Sequence, residues 1–167
     1  MVTQRLYSYM VDTDWVVFYL RGREPFVSLL KELRSKGLAL SIISVGELFE
    51  GVFRAEHQEE KEAGLLDFLS GVGILEVNMP IARLFGQYRA ELRQQGSLIG
   101  ELDLLIGCMA VHHGLPLLTE NTKHLGRIPG LRVMSLDELR AGGPLSPEDR
   151  RRNPPARADR RRRGPVR

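Results

Sequence analysis

Four carboxylates stand beside apolar segments of the chain, where an acid is expected to have a specific role. Glu101 and Asp103 open the apolar stretch 104–111, directly after a loop rich in glycine and serine. Asp12 follows one short apolar segment, and Glu47 lies soon after another. Carboxylates that are brought close together repel one another unless they are protonated or bind a cation. Because Mg²⁺ prefers oxygen ligands, four such acids at one place would indicate metal-dependent chemistry.

Each of these polar residues also has an ordinary structural role. Asp12 could cap the helix that follows it, and Asn121 could cap a short helix in the same way. Glu47 lies three residues after Ser44, which is the spacing of a helix capping box. Acids at the start of the 104–111 helix suit the positive end of the helix dipole. Capping explains each position singly, but it does not explain why they should coincide in space.

The predicted elements bring these positions to one edge of a sheet. Asp12 ends the first strand, Glu47 lies one turn past the second, and Asn121 follows the fourth. Strands that alternate with helices predict an α/β domain with a parallel sheet, whose sites form beyond the carboxyl ends of the strands. The strands are predicted at 6–11, 38–43, 74–77, 116–119 and 131–134, and the helices at 15–20, 25–36, from 44 onward, 56–69 (a polar pair), 80–95, from about 101, and 121–125.

Composition indicates one folded domain followed by a basic tail. From residue 146 onward nine arginines face three acids, a charge of +6, and the remaining 15 basic and 18 acidic residues give residues 1–145 a charge of −3. The tail also contains four prolines and almost no apolar residue, which is typical of disorder. We therefore predict a domain at 1–140 and a disordered Arg/Pro-rich tail at 141–167. The tail could hold nucleic acid electrostatically or could be a solvated end without a specific partner.

The location of the protein is predicted from what the sequence lacks. No apolar run approaches the roughly 20 residues of a membrane span. The first residues lack the features of a secretory signal. The one cysteine, Cys108, cannot form an internal disulfide. We therefore expect a cytoplasmic protein without a membrane partner.

Four segments resemble, in order and spacing, the PIN-domain ribonucleases of the VapC toxin family. They read VDTDWVVFYLRG, SIISVGELFEGV, RAELRQQGSLIGELDLLIGCMAVHHG and LLTENTKHLGRIPGLRV, and the resemblance covers roughly residues 8–136. It implies a PIN-like three-layer α/β/α fold with a central parallel sheet. It also implies a Mg²⁺- or Mn²⁺-dependent endoribonuclease acting on structured RNA, often tRNA. Its partners would be a VapB-like antitoxin, which holds it inactive, and a second copy of the chain in a homodimer.

The resemblance assigns roles to the four acids. Asp12, Glu47 and Asp103 match the first three acidic positions of the family, and Glu101 falls where many members carry an additional acid. Asp12 and Asp103 would contact the metal ion, while Glu47 and Glu101 would hold it directly or through water. Bound metal would then generate a water nucleophile and stabilise charge on the phosphate.

Two further residues match the family at the end of the fourth predicted strand and just after it. Thr119 corresponds to its hydroxyl residue, and Asn121 to its fourth acidic position, where either Asp or Asn occurs. Both would orient a water molecule or a second ion. The chain departs from the family at Asp14, where Asn is usual, and at Leu125, where Phe is usual. The first departure adds charge beside the predicted site.

Two other functions compete with the nuclease. The opening segment also resembles haloacid-dehalogenase-type phosphatases, with Asp12 as nucleophile and Asp14 as acid. That family needs a later lysine, but none occurs between Lys61 and Lys123, and a lone short motif has a high false-positive rate. The other alternative is a PIN protein that binds RNA but has lost activity, because fold alone does not determine function.

Overall fold

The computed structural model describes residues 7–142, which form one parallel five-stranded sheet with eight helices. The strand order is β3-β2-β1-β4-β5, so β1 is central. The predicted α/β fold is confirmed. The strands are β1 (Tyr9–Val11), β2 (Leu38–Ser41), β3 (Gly73–Leu75), β4 (Leu117–Leu118) and β5 (Val133–Met134). The helices are α1 (Thr13–Leu20), α2 (Phe26–Arg34), α3 (Ile42–Phe53), α4 (Gln58–Leu69), α5 (Met79–Gln94), α6 (Glu101–His113), α7 (Thr122–Leu125) and α8 (Leu136–Gly142).

The sheet separates two apolar cores because successive strand residues face opposite sides. Tyr9 and Val11 of β1 pack with α1, α2, α3, α4 and α8, whereas Met10 packs with α5, α6 and α7. In β2, Ala39 likewise faces the α5–α6 side. Both faces are covered, which explains the continuous apolar runs of these strands. The three-layer arrangement is that of the predicted α/β/α fold.

The apolar run 38–43 is divided between a strand and a helix, so the prediction of a six-residue strand is wrong. Ser41 ends β2 and caps α3, because its hydroxyl accepts a hydrogen bond from the Ser44 amide at 2.8 Å. Ile42 and Ile43 therefore form the first turn of the helix. The capping box between Ser44 and Glu47 is wrong for the same reason, since Ser41 is the cap.

Smaller differences concern other elements. Residues 56–69 hold one helix, α4, in place of the predicted pair, and α8 is an additional helix after β5. The helix α8 extends to Gly142, which lies past the predicted boundary at 140/141. Residue 6 and the tail from 143 lie outside the described residues. Among the residues described, none of the helices has the length and apolar character needed to cross a membrane.

Candidate active site

The site begins where the two central strands end. Asp12 directly follows β1 and caps α1, since its Oδ1 accepts the Thr13 amide at 2.8 Å. Thr119 directly follows the neighbouring strand β4, and its hydroxyl donates to Asp12 Oδ2 at 2.8 Å. Parallel pairing of β1 with β4 aligns these two strand ends. Both oxygens of Asp12 are therefore oriented by neighbouring hydrogen-bond donors.

Hydrogen bonds extend from this centre to residues of α3, α6 and the loop after β4. The Thr13 hydroxyl donates to Glu47 Oε2 at 2.5 Å. On the other side, the backbone N–H of Asn121 donates to the Thr119 hydroxyl at 3.0 Å. The side-chain amide of Asn121 donates to Asp103 Oδ2 at 3.3 Å. One hydrogen-bonded chain thus joins residues from four separate parts of the sequence.

An open cavity of about 330 Å³ lies over this network. Its wall combines four acids with an amide, a hydroxyl and two apolar side chains. The lining residues are Asp12, Thr13, Asp14, Val17, Phe18, Glu47, Asp103 and Asn121. The cavity therefore combines several oxygen ligands with the apolar side chains of Val17 and Phe18.

Asp12 is the most strongly perturbed carboxyl of the cavity. It is only 6% exposed, and burial is the main cause that raises its pKa to about 7. The charges of Asp14 and, to a lesser extent, Asp103 raise that pKa further, while hydrogen bonds from Thr119 and Thr13 lower it. Within residues 7–142 no Lys, Arg or His forms an ion pair with Asp12. A buried carboxylate without a counter-charge favours either a proton or a cation from solution.

Asp14 has a different function because both of its oxygens bind backbone. Its Oδ1 accepts the Trp15 amide at 2.7 Å, and its Oδ2 accepts the Glu120 amide at 2.9 Å. Burial raises the pKa of Asp14, and these hydrogen bonds oppose that rise. Glu120 Oε1 in turn accepts from the Trp15 indole at 3.2 Å and from the Leu136 amide at 2.8 Å. Asp14 therefore fastens the loop that carries Asn121 to α1.

The cavity fits a hard divalent cation better than a softer metal. Its donors are all oxygens, and the desolvated Asp12 lacks a counter-charge among the described residues. In that same part of the chain, no three His, Cys, Asp or Glu side chains converge as a complete ligand set. Mg²⁺ does not require one, because it binds through one or two carboxylates and retains several waters. Asp12 and Asp103, the two predicted metal ligands, both line this cavity, and the charge of Asp103 reaches Asp12.

Comparison with known proteins identifies the family. A family model described as PIN domain matches residues 9–131, which include every site residue above. The chain belongs to the PIN-domain family. Within that family its relatives are VapC ribonucleases, so the resemblance seen in the sequence is confirmed. The names of these relatives support a nuclease of the VapC toxin class.

The alignments cover about three quarters of this chain and almost the whole of each relative. Ribonuclease VapC2 of Haemophilus influenzae is 37% identical over 127 residues, which are 75% of this chain and 96% of the relative. The tRNA(fMet)-specific endonuclease VapC of Shigella flexneri is 29% identical over 126 residues, again 75% and 96% of the two chains. Among solved structures, VapBC2 from Rickettsia felis, bound to a DNA fragment from its promoter, superposes with a TM-score of 0.72 at 31% identity. That match covers 77% of this chain and 98% of the other.

The PIN fold brings most of the residues singled out in the sequence to one place. Asp12, Glu47, Asp103 and Asn121 line the cavity, and Thr119 reaches Asp12 from behind it. Asp12 is a helix cap as well as a cavity residue, so the two interpretations of this position are compatible. Asn121 does not cap α7 with its side chain, which instead contacts Asp103.

The structure does not bring Glu101 to the cavity. Its side chain is 66% exposed and forms an ion pair with Arg89 of α5. Residues two apart on a helix do not share a face, so Glu101 and Asp103 are directed differently. The catalytic role given to Glu101 stays a prediction, and this geometry does not favour it.

Sequence reasoning missed the contributions of Thr13, Asp14 and Phe18. The hydroxyl of Thr13 holds Glu47, Asp14 fastens a loop, and Phe18 forms part of the cavity wall. The available signal was helical spacing, because Phe18 lies four residues after Asp14 on α1. The pairing of Thr13 with Glu47 joins positions 34 residues apart, and no local pattern indicates it.

Proposed function

We propose that this protein is a Mg²⁺- or Mn²⁺-dependent endoribonuclease that cleaves structured RNA. The observation that carries the proposal is Asp12, a buried carboxyl beside Asp14 and Asp103, without an ion-pair partner among the described residues. The ribonuclease names of its relatives support the reaction class. When bound, the cation would lower the pKa of a water molecule and stabilise negative charge on the phosphate.

The residues of the chain have separate tasks in this proposal. Asp12 and Asp103 would hold the cation, and Thr13 keeps the Glu47 carboxylate directed into the cavity. Thr119 orients Asp12, while Asn121 orients Asp103. Because these donors are already in position, little reorganisation is required when RNA binds. The bond broken is an RNA phosphodiester, attacked in line by water without a covalent enzyme intermediate.

Transfer RNA is the first substrate to test. The relative from Shigella flexneri is named a tRNA(fMet)-specific endonuclease, and we extend the substrate class, but not the particular tRNA, to this chain. A cavity that is open at its mouth suits an exposed loop of a folded RNA, where bases are unstacked and the backbone is accessible.

The proposed protein partners are a VapB-like antitoxin and a second copy of this chain. The printed description of the Rickettsia felis structure names a VapBC complex. In our protein a groove lined by α1, α3 and α4 shares Val17 and Glu47 with the acid cavity. An antitoxin segment in this groove could place an arginine against the acids, where charge pairing would block metal and RNA together. Light scattering of the purified protein, with and without the antitoxin, tests the homodimer and the complex.

The test of activity uses purified protein, total RNA and a labelled tRNA pool. Reactions contain Mg²⁺, Mn²⁺ or EDTA, and the Asp103→Asn variant is assayed beside the wild type. We expect discrete fragments that require metal and disappear in the variant. Fragments that persist in EDTA would contradict metal dependence. Full activity of Asp103→Asn would contradict the site.

The same samples distinguish the phosphatase that the opening motif resembles. That enzyme would form a phosphoaspartate on Asp12, whereas the nuclease forms none. The position of Asp14 supports the nuclease, because an acid that accepts two backbone amides is occupied structurally. Phosphatase activity together with a trapped phosphoaspartate would overturn the proposed function.

A further inference from the structure

An arginine lies against two aromatic rings, one of which lines the acid cavity. Arg23 lies in the turn after α1, and its guanidinium carbon is 4.6 Å from the centre of the Phe18 ring and 5.7 Å from that of Phe26. Phe18 is itself a lining residue of the cavity. The Arg23 guanidinium thus lies over the ring of one of the two apolar residues that line the site.

The aromatic support is rigid, because it is anchored in the core. The Phe18 and Phe26 rings have centres 4.7 Å apart, and Phe26 packs edge-on against Trp15 at 5.1 Å. Phe26 and Trp15 are buried, at 3% and 0% exposure. The Arg23 amide also donates to the Phe18 carbonyl at 2.9 Å. The guanidinium is therefore restricted although it is exposed, and binding a ligand would immobilise it at little further entropic cost.

The N–H groups of the Arg23 guanidinium have the geometry to bind a phosphate. Stacking on an aromatic face leaves the in-plane N–H groups of a guanidinium available for two parallel hydrogen bonds. Within the described part of the chain, no carboxylate is close enough to form an ion pair with Arg23. When an RNA backbone enters an acid-lined cavity, the acids repel every phosphate except the one that the cation neutralises. A fixed cation beside the cavity offsets that repulsion.

We propose that Arg23 binds an RNA backbone phosphate next to the cleaved one and so positions the substrate over the acids. The proposal rests on the nuclease function above. Arg23 touches substrate outside the reacting bond, so it contributes to RNA affinity rather than to the chemical step. The contact is to phosphate, and its effect on affinity is therefore independent of base sequence.

The experiment measures RNA binding and cleavage by the full-length protein. Binding is measured in the cleavage-deficient Asp103→Asn background, with a labelled tRNA pool, across a series of salt concentrations. Arg23→Gln removes the cation, and Arg23→Lys keeps the charge but not the planar donors. Lys31→Gln is the matched control, because Lys31 is an exposed cation of α2 without an ion pair or ring contact in the described structure. Thermal unfolding of each variant verifies its fold.

For Arg23→Gln we expect the dissociation constant to rise about tenfold. The plot of log affinity against log salt should become less steep by about 0.7 to 0.9. Cleavage in the wild-type background should show a raised KM with kcat within about twofold. Arg23→Lys should keep the salt slope and show an intermediate affinity, while Lys31→Gln should be close to wild type.

Three results would overturn the proposal. Equal losses in Arg23→Gln and Lys31→Gln would mean that only overall charge matters. Unchanged RNA binding in Arg23→Gln, whether or not antitoxin binding is weakened, would remove Arg23 from the substrate site. Absence of cleavage by the wild type in any metal would defeat the proposed function, and the role of Arg23 with it. The first two results leave the nuclease itself intact.

Discussion

Two acids of the same helix turn, Asp103 and Glu101, have opposite environments. Asp103 lines the cavity and accepts a hydrogen bond from Asn121. Glu101 projects toward solvent and pairs with Arg89. Both are carboxylates in the first turn of α6, and both suit the positive end of the helix dipole. The rotation of about 100° per residue along the helix is what separates them.

The difference teaches that the position of an acid along a helix matters less than the face on which it lies. Asp12 and Thr119 lie side by side at the carboxyl edge of the sheet because the parallel strands β1 and β4 end there together. A residue from a helix joins them only if its face points to that edge. Asp103 meets this condition, as does Glu47 in the second turn of α3, whereas Glu101 does not.

The largest expected effect is the difference in RNA cleavage between substitution of Asp103 and substitution of Glu101. Asp103→Asn should reduce RNA cleavage by about 10²- to 10³-fold, because it removes a proposed cation ligand while its shape is preserved. Glu101→Gln should retain at least half of the wild-type rate. Initial rates on labelled tRNA, with circular dichroism to verify folding, test both variants. Equal losses in the two variants would erase the distinction.

The burial of Asp12 should appear in the pH dependence of stability. The pKa of about 7 in the folded protein lies above its ordinary value of 3.8, so the folded state binds more protons than the unfolded state between these values. Below about pH 4 the burial of Asp12 therefore does not lower the free energy of unfolding. Its destabilising effect grows as the pH rises to 7 and is complete above that pH. In EDTA, the unfolding free energy of Asp12→Asn relative to wild type should rise across this window by up to about 4 kcal/mol. Denaturant titrations at several pH values test this, and a constant difference would contradict it.

Removal of the hydroxyl that holds Glu47 should have an intermediate effect. Thr13→Val keeps the shape of the side chain but loses the hydrogen bond to Glu47, and we expect a 10- to 100-fold loss of activity, as for other groups that orient site ligands. Thr13→Ser should restore most of the rate because it keeps the donor. Metal titration followed by cleavage rate should show weaker apparent Mg²⁺ affinity in Thr13→Val alone. A deficit in both variants would indicate a packing role for the methyl group.

The smallest effect is expected from the exposed ion pair. Glu101→Gln should change the free energy of unfolding by less than about 1 kcal/mol, because solvent screens a pair whose Glu101 side chain is 66% exposed. Arg89→Gln should show the same small change, and salt should reduce the difference further. Chemical denaturation at low and high salt provides the measurement. A loss of several kcal/mol would show that the pair supports α6 against α5.

The sequence predicted which residues would lie together better than it predicted where the strands and helices begin and end. Asp12 and Asn121 could be placed because Asp12 directly follows one apolar strand of a parallel sheet and Asn121 lies in the loop after another. The end of β2 could not be placed, because Ile42 is as apolar as the strand before it and only the capping of α3 by Ser41 marks the change. The stacking of Arg23 on Phe18 depends on how a turn folds back over a helix, which the spacing of apolar residues does not reveal.

The hydrogen bond between Thr119 and Asp12 joins residues 107 positions apart, and this separation governs when the protein can act. At synthesis rates of 5–20 residues per second, the second half of the site follows the first by about 5 to 20 s. Until β4 is made and pairs with β1, Asp12 lacks the hydrogen bond from Thr119 and Asp103 lacks the one from Asn121. A nascent chain therefore carries no assembled centre, and the proposed nuclease cannot act until the domain is almost complete.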